Sequence, residues 1–341
     1  MVTPSTPYHR LARTGTHRWW RPIVGTAFII LAGAVLALAG FLVFTAAATI
    51  AGRPEDADGV ATFGARGDLA MSFLAVAALL PATLLAARWI QRRRAGTLSS
   101  VTGRLRRRWL LVCLPVAFGA IASSLGAGFT LATVTGTDVG LGDPLAGWGS
   151  FLASMLVLLL VVPPQAAAEE YLTRGWLLQG IGAWFRRPWV PIMVQAVVFA
   201  ALHGWGTPWG FADLLVFGVV AGYLTVRTGG LEAAIALHVM NNLVSSVIAA
   251  AYNDLGLDQT AADMPWQFAV MDLPALLAYT GTILWLARRR GIASVTHTQP
   301  IVAEPAVQDR VRSGWPGRAR PARRCALAAT AGPSPASGPG R

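Results

Sequence analysis

The stretch Pro22–Ala51, PIVGTAFIILAGAVLALAGFLVFTAAATIA, holds no charged residue and runs far beyond the length of a buried core helix. About 20 apolar residues suffice to cross a bilayer as a helix. A cleavable signal peptide has an apolar region of only about 7–15 residues. The stretch therefore predicts a retained transmembrane helix, and with it a protein whose solvent is largely lipid.

Moving outward, the same pattern recurs. Apolar runs cover about Leu69–Ile90, Trp109–Val134 and a segment from Trp148 that meets Pro163-Pro164 and resumes to about Phe185. Others cover about Trp189–His203, Phe211–Val226, Leu231–Tyr252 and Trp266–Ala287, the fifth and sixth being short. The expected fold is all-α: a polytopic transmembrane helical bundle of about eight spans around an intramembrane active-site cavity. Five regions follow: a cytoplasmic N-terminal segment (1–21), three spans with their loops (22–146), a core (147–252), a last span (253–290) and a disordered tail (291–341).

Composition agrees. The 341 residues are 54% hydrophobic and 13% charged, whereas a soluble domain carries about a quarter charged residues. The net charge of +12 comes entirely from arginine. Arg88–Arg108 holds eight arginines and no acid, while Glu55, Asp56, Asp58, Asp138, Asp143, Asp254, Asp258 and Asp263 fall in the alternate loops. Such asymmetry is the positive-inside pattern of a multi-pass membrane protein and predicts cytoplasmic termini. It excludes a nucleic-acid partner. Cys113 and Cys325 are too few for a disulfide framework. The tail contains Cys325-Ala326-Leu327-Ala328, but a prenylation box is C-terminal, so the chain is not expected to be prenylated.

The informative residues are polar ones inside apolar runs, where a charge costs about 2.5–3.5 kcal/mol at the bilayer centre. Glu170 and Arg174 stand at i and i+4 and can pair on one helix face, while Glu169 points about 100° away and stays available as a base. Phe199 and His203 share one face of a second helix, and His238 and Asn242 one face of a third. Each pair alone has an ordinary use, as a salt bridge at a helix end, an interfacial histidine, or an interhelical hydrogen bond. Converging, they would supply a base, a charge partner and hydrogen-bond donors, which is what general-base hydrolysis needs.

These motifs, Glu169-Glu170-x-x-x-Arg174, Phe199-x-x-x-His203 and His238-x-x-x-Asn242, resemble those of the CPBP family. That family includes type II CAAX prenyl endopeptidases and bacteriocin-processing and self-immunity proteins. The likeness covers about Leu152–Ser246, including Arg227-Thr228-Gly229-Gly230. It implies a membrane-embedded endopeptidase acting on peptide or protein substrates at the bilayer, with a cavity open to the cytoplasm. Glu169 with His203 would activate water, His238 and Asn242 would stabilise the oxyanion, and Glu170 with Arg174 would hold the site together. The cofactor expected is none or one zinc ion. Glu169, His203 and His238 could coordinate a metal with an open position for water, although no His-Glu-x-x-His pair is present. The resemblance also leaves substrate class open; a lysine-free composition, as a GC-rich bacterial genome produces, disfavours prenylated substrates. Rival readings are a proton- or ion-coupled transporter, which internal repeats would favour and none is found, or a non-catalytic scaffold of the same fold.

Overall fold

The computed structural model describes residues 5–140, 143–252, 255 and 260–296. Helices are the only regular elements among them, one of the two ways a chain in a bilayer can satisfy its own backbone hydrogen bonds. In order they are α1 (Arg21–Ile50), α2 (Ala65–Ala77), α3 (Leu79–Trp89), α4 (Arg107–Val134), α5 (Trp148–Glu170), a π-helical stretch (Tyr171–Leu177), α6 (Leu178–Gly182), α7 (Trp189–Leu202), α8 (Pro208–Thr228), α9 (Glu232–Ala251) and α10 (Trp266–Arg289). Taking α2–α3 and α5–α6 each as one rod, seven helices among the described residues are long and apolar enough to cross a membrane. The eighth, α7, has 14 residues, about 21 Å at 1.5 Å each, and is shorter than a bilayer core of about 30 Å.

Several expectations are corrected. The double proline at 163–164 does not interrupt α5, which is continuous across it. Proline removes its own N–H bond to the carbonyl four residues back, yet the flanking apolar turns stay helical. The sixth run is a full 21-residue helix. Thr207 caps it by accepting from Gly210 N at 3.0 Å, Pro208 fits its first turn, and Gly229 closes it at φ +68°. Residues 295 and 296, placed by the sequence in the tail, are held in the fold: Thr296 N donates to Thr6 O at 3.0 Å, and Val295 bridges Pro7. The rest of the tail, with Cys325, lies outside the described residues, as do Asp254 and Asp258.

The N-terminal segment is anchored rather than merely polar. Tyr8 and His9 are buried, Tyr8 Oη donates to Leu98 O, and Arg13 Nη1 donates to Ala183 O at 3.2 Å. Arg93 is buried among Gln91, Thr97 and Gln179 at 2.5–2.7 Å. Burial lowers its pKa to about 10, so it remains cationic at neutral pH. Val101 N donates to Gly229 O at 2.8 Å and Leu231 N to Ser99 O at 2.9 Å. These bonds tie the arginine-rich connection to the turn between α8 and α9. Gly230 is required there, because a Cβ would lie 2.5 Å from both Arg106 Nη2 and Glu232 Oε2. That pair, 2.6 Å apart with Glu232 fully buried, fixes the start of α9.

The Gly-x-x-x-Gly pair on α8 receives α7. A Cβ at Gly218 would stand 2.9 Å from Ala196 Cα, and one at Gly222 2.7 Å from Gln195 Nε2. Gln195 uses the closeness: its Nε2 donates to Gly218 O at 2.8 Å. Gly218→Val should lower stability by about 1–3 kcal/mol through overpacking, read as an earlier thermal transition in detergent. An unchanged transition would mean the approach of α7 is not required.

Candidate active site

The three motifs meet in one cluster. Glu169, at the end of α5, lines a cavity of about 910 Å³ together with His203 and Asn242. Its Oε2 lies 3.9 Å from His203 Nε2 and 3.6 Å from His238 Nε2. Both distances are too long for direct hydrogen bonds and short enough for one water to touch the carboxylate and either ring. Glu169 Oε2 is buried and has no protein hydrogen-bond partner.

The neighbouring carboxylate is spent otherwise. Glu170 is fully buried, and its Oε1 accepts from Arg174 Nη1 at 2.8 Å and from His238 Nδ1 at 2.8 Å. Adjacent glutamates thus face different ways, as the helical repeat requires. The pair is formed where the helix widens into its π-helical stretch, a feature frequent at functional sites. The Arg174 guanidinium also lies 4.1 Å over the Phe199 ring, a favourable stacking for a desolvated cation.

Phe199 explains the second motif. Its ring is 4.6 Å from His203, 5.7 Å from His238 and 5.7 Å from Phe217, so one side chain supports both imidazoles. His203 Nδ1 is 2.8 Å from Phe199 O. A carbonyl only accepts, so this nitrogen carries a proton; the ionised Glu170 places one on His238 Nδ1 likewise. Each ring therefore directs Nε2 toward Glu169, and each has its tautomer set by a supporting acceptor.

Sequence reasoning missed Gln165. Its Nε2 donates to Glu169 Oε1 at 2.5 Å, and its Oε1 accepts from Asn242 Nδ2 at 3.0 Å. The amide thereby links the first motif to the third. The available signal was a polar residue four positions before Glu169, on the same helical face. Asp213 and Asp272, one in α8 and one in α10, were also missed. Asp213 contacts Asp272, whose Oδ1 accepts from Ser124 Oγ at 2.8 Å on the cavity wall.

As a metal site the donors fit by chemistry: two imidazole Nε2 atoms and an orphaned carboxylate oxygen converge, and both rings have the second-shell acceptors that ligand histidines use. Their spacing is looser, and among the described residues no group of three His, Cys, Asp or Glu is placed to hold a metal as it stands.

The fold and cluster define a multi-pass membrane protein with ionisable groups buried between its helices. Residues 148–244 match the family model described as Type II CAAX prenyl endopeptidase Rce1-like. That segment contains all three motifs, so the resemblance carried by the motifs holds over the region where they converge. The match supports an intramembrane endopeptidase of the CAAX-protease type. The chain is also similar to YyaK of Bacillus subtilis (strain 168), described as an uncharacterized protein. They share 26% identity over 239 residues, covering 65% of this chain and 76% of that relative. No solved structure matches the chain.

Proposed function

We propose that the protein hydrolyses peptide bonds of membrane-associated peptides or proteins, with Glu169 as the general base. The observation that carries this is the orphaned Glu169 Oε2 between two imidazole Nε2 atoms at the end of a cavity. A water in that space can donate to Glu169 Oε2 and to His203 Nε2. His238 takes the donor role toward the oxyanion in this scheme, because Glu170 accepts from its Nδ1 and fixes the ring.

In the reaction Glu169 Oε2 takes a proton from the water while its oxygen bonds to the substrate carbonyl carbon. His203 orients that water. The oxyanion accepts from His238 Nε2–H and from the Asn242 amide N–H that Gln165 does not use. When the C–N bond breaks, the proton held by Glu169 passes to the leaving amine. Glu170 and Arg174 position His238 and do not touch the substrate. If zinc is bound, Glu169, His203 and His238 would hold it, and it would supply a more acidic water. The metal-free scheme is preferred because the sequence has no His-Glu-x-x-His pair on one helix.

The test is cleavage of a peptide library by purified protein before and after exhaustive chelation. Activity should survive chelation, and His238→Ala should retain a residual rate about 100- to 1000-fold lower, the usual cost of one oxyanion donor. Stoichiometric zinc, lost from His238→Ala together with all turnover, would refute the metal-free scheme. A transporter would cleave nothing under any of these conditions.

A further inference from the structure

The cavity that reaches Glu169 extends from it toward one end of the helices, and the loops at the two ends differ in charge. Following α9 from Asn242 through Ser245 to Ala249, the cavity wall rises toward the C-terminal end of that helix. It continues into the connection between α9 and α10, at Ala261 and Asp263. In the other direction the described residues are tightly packed. Glu170, Arg174 and Glu232 are fully buried, Tyr171 Oη is bonded to Ser99 Oγ at 2.6 Å, and Leu98 is completely covered.

Packing shows which loops share each end. At the packed end Arg106 pairs with Glu232 and donates to Ala293 O, while His9 Nε2 bonds Arg186 O. The arginine-rich connections therefore lie together. At the end toward which the cavity extends, Ala146 N donates to Ala251 O at 2.7 Å, Gln267 Nε2 donates to Thr135 and Thr137, and Thr207 N donates to Ala262 O. Asp138, Asp143 and Asp263 belong to this end. Arginine-rich short loops stay in the cytoplasm.

We infer that the cavity is entered from the acidic-loop face, the outer face of the membrane, so that its substrates are peptide segments exposed on that side. This rests on the endopeptidase reading, and it reverses the cytoplasm-facing cavity that the family resemblance implies. Lipid-modified C-termini held on the cytoplasmic leaflet would be excluded. Exported peptides, or the outer flanks of anchored proteins, would be the substrate class.

Single cysteines in a Cys113→Ala, Cys325→Ser chain test the entrance. A membrane-impermeant maleimide added to intact spheroplasts should label Ala261→Cys at the rim and Ser245→Cys in the wall. Thr102→Cys, exposed on the arginine-rich connection, should label only after permeabilisation. Labelling of Ser245→Cys only after permeabilisation would overturn the inference, whether or not Ala261→Cys labels from outside. Peptide cleavage in detergent tests the endopeptidase reading by itself, without reference to sidedness, so either can fail alone.

Discussion

Glu169→Gln should reduce peptide cleavage by about 100- to 10,000-fold, the range that a positioned general base contributes, while leaving the protein folded. The substitution keeps shape and removes basicity. An amide carbonyl at the Oε1 position can still accept from Gln165, as the carboxylate does at 2.5 Å. At the Oε2 position an NH₂ group would meet the water with a donor in place of an acceptor. Glu169 is half-buried at the cavity end, so the exchange leaves no cavity and no unpaired buried charge. The thermal transition in detergent should stay within about 1 kcal/mol of the original, as for substitutions that touch none of the severe mechanisms. A variant that keeps most of its cleavage rate would remove Glu169 from the base role and end the proposed mechanism.

The second large effect is on stability. Arg174→Met should destabilise the protein by about 3–5 kcal/mol, because it strands a fully buried carboxylate. Glu170 would keep only the His238 Nδ1 contact, while Phe199 would lose the cation stacked 4.1 Å over its ring. Lysine should not rescue the site, since a compact ammonium does not reproduce a planar guanidinium that both stacks and donates. Changing both partners separates structure from chemistry. Glu170→Gln with Arg174→Met removes both charges and should recover much of the stability, as neutral replacements of buried pairs commonly do. It should not recover cleavage, because His238 would lack the carboxylate that accepts from its Nδ1 and positions the ring. Thermal midpoints and cleavage rates of the two variants check this. An Arg174→Met protein as stable as the original would show that the pair does not hold the helices together.

The spans and the motif residues were legible because each has a local signal. A run of apolar residues and a charge inside such a run both stand out in a short window. What stayed hidden depends on neighbours. Gln165 is an uncharged amide whose importance appears only when Glu169 and Asn242 flank it. Asp213 and Asp272 each sit within six residues of a helix start, where a single acid reads as interfacial. The expected break at Pro163-Pro164 fails because lipid offers a freed carbonyl nothing better than its own helix. The anchoring of residues 5–20 and 291–296 is legible only once their partners, Leu98, Ala183 and one another, are in place.

The π-helical stretch Tyr171–Leu177 sets an angular phase between two sets of side chains. Before it Glu169 faces the cavity; in its last turn Trp176 packs against Gly25 and its Nε1 donates to Thr26 at 2.9 Å, and after it Gln179 receives Arg93. A wide turn holds one residue more than the regular helix would. If this stretch wound as regular helix with all its residues kept, everything after it would turn by about 100°. The carboxylates and the anchoring residues could then no longer both meet their partners. The extra residue acts as a timing mark along the rod: it lets one helix serve a reactive end and a fixed end whose required directions do not fit a single uniform winding.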